Sequence, residues 1–377
     1  MVRRKTLAAA ALAVLGLFPA AARAQWLEIR DLRVRREETE AAGPRLAIEY
    51  EIPDPSLSPA SPAWVFLRYS RDRGATWQPV PVASLRGDGH GIVESPGRKR
   101  SVWWGIEPLG VADLDASALR VRAIPMVRIP GGRFTAKTVP GGGHDQTCPP
   151  VETADLPTFY LARCETTVQM YADYLNEACR GGGGWNPKMA SPERCGIEKA
   201  PDGSFRVLPG RERHPVVYVS WYGAAAFLEW CGLRLPTELE MLKAVRGGHF
   251  LDGDALRKAP NPMPERKYPW GNEAPDEGGV FRCNFDGDQD GFAHTAPVGS
   301  FAKFPSPYGV LDLAGNVAEW TLDRYATTYH TGLDGYRILR GGSWMDPPEG
   351  CDAVTAPTRL PIKESAIVGF RGALDAR

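Results

Sequence analysis

Met126-Val127-Arg128-Ile129-Pro130-Gly131-Gly132-Arg133-Phe134 is where the texture of this 377-residue sequence changes. Upstream, from Trp26 to about Pro125, short runs alternate apolar and polar residues between turn residues. Leu27-Glu28-Ile29-Arg30, Leu46-Ala47-Ile48-Glu49-Tyr50, Val65-Phe66-Leu67-Arg68-Tyr69 and Leu119-Arg120-Val121-Arg122-Ala123 each show the two-residue period of a half-buried strand. Strands at this spacing predict a small β-sandwich over residues 25–125, of immunoglobulin-like or fibronectin-like kind. Downstream, residues 126–377 form a second and longer region in which loops dominate.

Within the first region, Ser70-Arg71-Asp72-Arg73-Gly74-Ala75-Thr76-Trp77 resembles an Asp-box, a hairpin-capping pattern of sialidase-like propellers. Only one copy occurs. Repeat folds need recurring units to stack, so the segment predicts a single stabilised hairpin and not a propeller. In the second region three helices are expected. Thr167 to Ala178 places Met170, Tyr171, Tyr174 and Leu175 on one stripe, and Ser220 to Cys231 is a second candidate. The third begins at Thr237-Glu238-Leu239-Glu240, whose Ser/Thr-x-x-Glu spacing is that of a capping box.

The chain opens with Arg3, Arg4 and Lys5, an apolar run from Leu7 to Phe18, and Ala22-Arg23-Ala24. That layout predicts a signal peptide over 1–24 and a periplasmic or secreted protein with cleavage near Ala24. The apolar run is too short for a convincing membrane span, and no later stretch approaches the roughly 20 residues one needs. Lys plus Arg and Asp plus Glu balance at 45 each, so nothing in the charge points to nucleic acid or an anionic membrane. With 41 glycines and 34 prolines, the composition argues for a turn-rich globular protein and against a helical bundle. Seven cysteines suit an oxidising compartment and leave at least one unpaired. Cys179 and Cys195 bracket a Gly-rich insertion, and bridging them would constrain the unfolded chain by roughly 3 kcal/mol; this pair is the expected disulfide. Cys231, inside an apolar helix segment, reads as a buried, inert thiol.

General catalytic signatures are missing from the sequence. The six histidines lie far apart, without HExxH or paired metal spacing, and there is no GxSxG elbow or phosphate-cradling glycine loop with a lysine. His214, ahead of Pro215, reads as structural. Asn284-Phe285-Asp286-Gly287-Asp288-Gln289-Asp290-Gly291-Phe292 gathers hard oxygen donors of the kind calcium takes, and resembles the start of an EF-hand loop. The resemblance fails at the twelfth position, Pro297, where a bidentate glutamate is needed, so a solvated Asp/Gly turn is the other reading.

The second region also carries His214-Pro215-Val216-Val217-Tyr218-Val219-Ser220-Trp221, Arg234-Leu235-Pro236-Thr237-Glu238 and Tyr268-Pro269-Trp270-Gly271-Asn272, in that order. Gly315-Asn316-Val317-Ala318-Glu319-Trp320, Arg340-Gly341-Gly342-Ser343-Trp344 and Gly369-Phe370-Arg371 follow. Together with the opening stretch, this series resembles the formylglycine-generating enzyme family, also called the sulfatase-modifying factor family, over about 126 to 373. The resemblance implies a loop-rich α+β fold of the C-type-lectin-like kind behind the N-terminal β-sandwich. It implies one structural calcium site from Asn284 and Asp290 with the carbonyls of Phe285 and Phe292. A second is implied from Asp312 and Glu319 with the carbonyls of Gly315 and Val317.

The family's oxidases use two cysteines five positions apart after Arg-Gly-Gly-Ser, and both bind copper(I), an ion that thiolates suit. In this chain the first of those positions is Asp346 and the second is Cys351. A carboxylate is a hard ligand and forms no mixed disulfide with a substrate thiol, which puts copper binding and the oxidation in question. Ser343 and Arg359 fall on the family's serine and arginine of the same pocket. Two functions therefore stay open. One is oxidation of a cysteine in an exported protein or peptide, as in sulfatase maturation, through Cys351. The other is a non-catalytic binding or scaffold module that holds an exported protein, peptide or glycan. An exposed, activated thiol at Cys351 favours the first, and a buried one the second.

Overall fold

The computed structural model describes residues 26–39, 43–72, 74–97, 99–106, 116–136, 152–325, 335–353 and 355–376. The expected signal peptide, 1–24, lies outside the described residues, as do Cys148, His144 and His330. The architecture is a β-rich α+β fold, with three α-helices among the described residues. None of them is long and apolar enough to cross a membrane.

Two sheets face each other in the N-terminal part. Arg30–Thr39, Gly43–Glu51, Arg100–Gly105 and Leu85–Gly87 form one, in that spatial order. The other is six-stranded and built on Ala63–Tyr69 and Leu119–Ile129, with Phe159–Ala162 and Ala373–Asp375 continuing it on one side. Leu46, Ile48, Tyr50, Val102 and Trp104 of the first sheet pack against Val65, Leu67, Tyr69, Val121 and Ala123 of the second. Of the alternating runs, Leu46–Tyr50, Val65–Tyr69 and Leu119–Ala123 lie within strands. At Leu27–Arg30 the strand begins only at Arg30.

The six-stranded sheet is covered on both faces, so every residue of Ala63–Tyr69 is buried. Side chains alternate across a strand. Val65, Leu67 and Tyr69 therefore enter the core between the sheets, while Trp64 and Phe66 enter a second core on the opposite face. That second core holds Met170, Tyr171, Tyr174, Phe227 and Trp230 from two helices. Phe66 stacks edge-on against Trp230 at 5.6 Å, and the Trp64 indole donates to the Cys231 carbonyl at 2.8 Å. Burying each such side chain is worth about 1.5–3 kcal/mol. Leu119–Ile129 pairs with Ala63–Tyr69 from Leu119 to Pro125 and with Phe159–Ala162 from Met126 to Ile129. One strand thus runs straight through the point where the sequence changes texture. Its Arg122 reaches the helical side, pairing with Asp173 at 3.0 Å and with Glu177.

The helices form where their capping residues put them. α1, Val168–Ala178, is capped by Thr167, whose side chain accepts from the Met170 amide. α2, Trp221–Cys231, starts at Ser220 and stops at Gly232, whose φ of 73° is the left-handed turn that glycine tolerates best. α3, Glu238–Arg246, carries the complete capping box of Thr237 and Glu240. The single Asp-box segment is a stabilised hairpin turn. Asp72 accepts from the Thr76 amide and hydroxyl, both at 2.7 Å, between Ala63–Tyr69 and its partner Gln78–Pro79.

Of two expectations about the cysteines, one fails and one holds. The bridge expected between Cys179 and Cys195 is not formed, and both are free thiols. Cys195 is fully enclosed and takes hydrogen bonds from the backbone around Val217 and Ile197, whereas the Cys179 thiol bonds to Tyr174. The short loop between them sets a favourable closure entropy but not the direction of the side chains. Cys231 is, as read, fully buried, and burial holds its thiol well above the usual range.

His214 is structural. It is 8% exposed, its Nδ1 lies 3.0 Å from the Thr295 hydroxyl, and burial together with Arg211 pushes its pKa down to about 4. The unfolded chain protonates its histidines near 6.5. Stability is therefore complete above about pH 6.5 and falls as pH drops toward 4, because only the unfolded state takes up the proton. Urea titrations across this window are expected to show a declining midpoint, with a shallower decline in His214→Gln.

Candidate functional site

The candidate site is built where Arg337–Arg340 ends. That strand pairs with Ala318–Arg324, which pairs in turn with Val368–Gly369, so Arg340, Glu319 and Gly369 lie side by side. Arg340 is buried, donates to the Ala353 carbonyl at 2.8 Å and forms an ion pair with Glu238 of α3. Both ends of the 341–353 segment are thereby anchored. Gly342 turns the chain at φ 69°, and a Cβ there would stand 2.6 Å from the Gly350 carbonyl oxygen. Only glycine lets the short helical turn Pro348–Cys351 close over the strand end.

Inside this turn Ser343, Asp346 and Cys351 come together. The Ser343 hydroxyl donates to Asp346 Oδ2 at 2.6 Å, and the Asp346 amide donates to the Ser343 carbonyl at 3.0 Å. Asp346 is thus the closing residue of a local turn. Its carbonyl accepts from the Asp286 amide at 2.9 Å, which ties the turn to the acidic loop that follows Asn284. Cys351 is fully buried, its sulfur 3.9 Å from the Ser343 carbonyl and 3.8 Å from that of Pro347. Arg359 is placed apart, on the strand Thr358–Arg359 opposite Arg337, with its Nε buried and unpartnered.

The neighbour of Cys351 is a residue that sequence reading did not single out. Cys283 is buried in the same apolar cluster as Cys351, with Phe285 and Ala314. The Cys351 thiol beside it, and then burial, hold the Cys283 thiol well above the usual range. In the sequence Cys283 carries one faint signal, its position directly ahead of the oxygen-rich run.

The oxygen-rich positions fall into two linked groups. Asn284 is completely buried; its amide nitrogen donates to the His294 carbonyl at 2.8 Å, while its Oδ1 has no partner. Asp290 accepts from the amides of Phe285, at 3.3 Å, and Phe292, at 2.9 Å, which draws both residues round one carboxylate. Asp312 accepts from the Gly299 amide at 2.6 Å. Glu319 is held by Arg371 through two bonds of 2.7 and 2.6 Å. Gly315 donates to the Gly341 carbonyl at 2.7 Å, and Val317 is buried beside the strand.

Asn316 joins the groups, donating to Glu165 Oε1 at 2.9 Å and accepting from the Asn284 amide at 3.1 Å. Burial, then the charge of Asp312, push the Glu165 carboxyl well above the usual range, and burial raises Asp312. Glu165 and Asn316 are thus further members of the cluster, brought in by the fold. Among the described residues, no three His, Cys, Asp or Glu side chains converge on a common metal position. Any calcium ligand set here has to include amide and carbonyl oxygens.

These features belong to one family. Residues 112–376 match the sulfatase-modifying factor enzyme 1-like domain, and the chain is a member of that family. The formylglycine-generating enzyme of Streptomyces coelicolor is 31% identical over 66% of this chain and 89% of that protein. The enzyme of the same name from Thermomonospora curvata is 32% identical over 66% of this chain and 93% of that protein. A protein of Bos taurus named inactive C-alpha-formylglycine-generating enzyme 2 is 31% identical over 68% of this chain and 89% of its own length. The chain is therefore formylglycine-generating-enzyme-like, and it is similar both to relatives named formylglycine-generating enzyme and to one named inactive.

Proposed function

We infer that this protein is an exported, non-catalytic binding or scaffold module of the family, which presents its loop-rich, lectin-like surface to a protein or peptide partner. The observation that carries this reading is the complete burial of Cys351. A thiol that exchanges with a substrate cysteine needs access and thiolate character. Here the sulfur is enclosed, and the position five residues earlier is a carboxylate bound to Ser343. Between the two functions left open by the sequence, that arrangement supports binding. Ser343 and Asp346 then serve as turn-makers, and Arg359 as part of the neighbouring surface.

Copper(I) does not fit positions 346 and 351. Asp346 offers a hard oxygen already engaged by a hydroxyl, and a soft two-thiolate pair is missing from that turn. Calcium fits better. The unpartnered, buried Oδ1 of Asn284 and Oε2 of Glu165 are oxygens that a hard cation would satisfy. The first site would use Asn284, Asp290 and the carbonyls of Phe285 and Phe292. The second would use Asp312, Glu319 and the carbonyls of Gly315 and Val317, beside Arg371. The N-terminal layout of basic, apolar and small residues supports export, and the β-sandwich of 25–125 would act as a spacer that shares its sheet with the binding region.

Mass spectrometry of a cysteine-containing sulfatase-motif peptide, incubated with the protein, oxygen, copper and reductant, tests the reading. The peptide cysteine is expected to stay unmodified with the natural protein, and conversion to the aldehyde would contradict it. Adding Asp346→Cys to the experiment shows whether the missing thiolate alone accounts for the loss. For calcium, a chelator is expected to lower the melting temperature by several degrees, since an ion bound only by the folded state stabilises it by mass action. An unchanged melt would remove calcium from the account.

A further inference from the structure

We propose that Cys283 and Cys351 are a redox pair that closes to an intrachain disulfide and locks the acidic loop to the site turn. Four observations bring the two sulfurs together. Both side chains lie in one apolar cluster, 2% and 0% exposed. Cys351 is the foremost influence that raises the Cys283 thiol, as expected of two thiols set side by side. The backbone segments that carry them are already joined, the Asp286 amide donating to the Asp346 carbonyl at 2.9 Å. Finally, Gly315 leaves the space that the Cys283 sulfur fills: a Cβ there would stand 3.1 Å from that sulfur.

The oxidant is a small or protein-borne disulfide of the compartment in which the chain folds. Cys351, as thiolate, attacks one sulfur of that disulfide, forming a mixed disulfide and releasing one thiol. Cys283 then attacks Cys351 Sγ, forming the intrachain bond and releasing the second thiol. The protein gives up two electrons and two protons, and the oxidant leaves as two thiols. Because both cysteines are enclosed in the folded protein, the exchange takes place while the 343–351 turn is open, during folding or local unfolding. The pairing holds whether or not the site turns over a substrate, so it stands apart from the binding reading.

The test is peptide mapping of the full chain after exposure to oxidised glutathione, with free thiols alkylated under denaturing conditions. Trypsin places Cys283 in peptide 283–303 and Cys351 in peptide 341–359, each holding one cysteine. The expected result is a cross-linked pair of these peptides that separates on reduction. Cys231→Ser, which alters a buried thiol in α2, is expected to keep the cross-link, and Cys283→Ser to abolish it. Recovery of both peptides in alkylated form after oxidation would overturn the proposal, as would linkage of either cysteine to another partner. The map of the unaltered protein decides the matter even if Cys283→Ser fails to fold.

Discussion

The buried guanidinium of Arg371 is the interaction on which the loop-rich region depends. Removing such a group from water costs several kcal/mol, so it persists only where the surroundings meet its donors. Here Glu319 takes two of its N–H groups, and the carbonyls of Ala162, Arg163, Leu311 and Asp312 accept at 3.2, 3.2, 3.0 and 2.9 Å. These acceptors come from the end of the strand Phe159–Ala162, from the loop before Asn316, and from the strand that flanks the site. A planar, rigid donor set fixes their relative positions as a hydrophobic core alone does not. Next to this node, Asn316 extends the same order to Glu165 and Asn284.

The site turn inherits its position from that arrangement. Glu319 lies opposite Arg340 in the small sheet, and Arg340 is held by Glu238 and the Ala353 carbonyl. Between those fixed ends, the glycines at 341 and 342 let Cys351 fold back beneath the strand. The same compactness that places Ser343, Asp346 and Cys351 together also shuts the thiol away from solvent.

Sequence reading reached what is local. The capping hydroxyls of Thr167, Ser220 and Thr237 mark the helix starts because the residues that satisfy them lie three positions away. Alternation at Leu46, Val65 and Leu119 marks strands for the same reason. The ordered motifs from Pro130 to Arg371 identify the family. What was not legible depends on distant segments meeting. Nothing in Val65–Tyr69 says that its opposite face is covered by α1 and α2, and nothing near Cys351 names Cys283, 68 positions earlier (351 less 283). The expected Cys179–Cys195 bridge erred in the other direction, taking nearness along the chain for convergence in space.

Access to Cys351 distinguishes an enclosed structural thiol from a working one most directly. After reduction and removal of the reductant, the folded protein would be pulsed with an alkylating reagent and each cysteine mapped by mass spectrometry, with an unfolded sample beside it. Cys351 is expected to be protected in the folded protein and labelled only on unfolding, like Cys231. Rapid, stoichiometric labelling of Cys351 in the native state would contradict this and would return the oxidase chemistry of the family to this site.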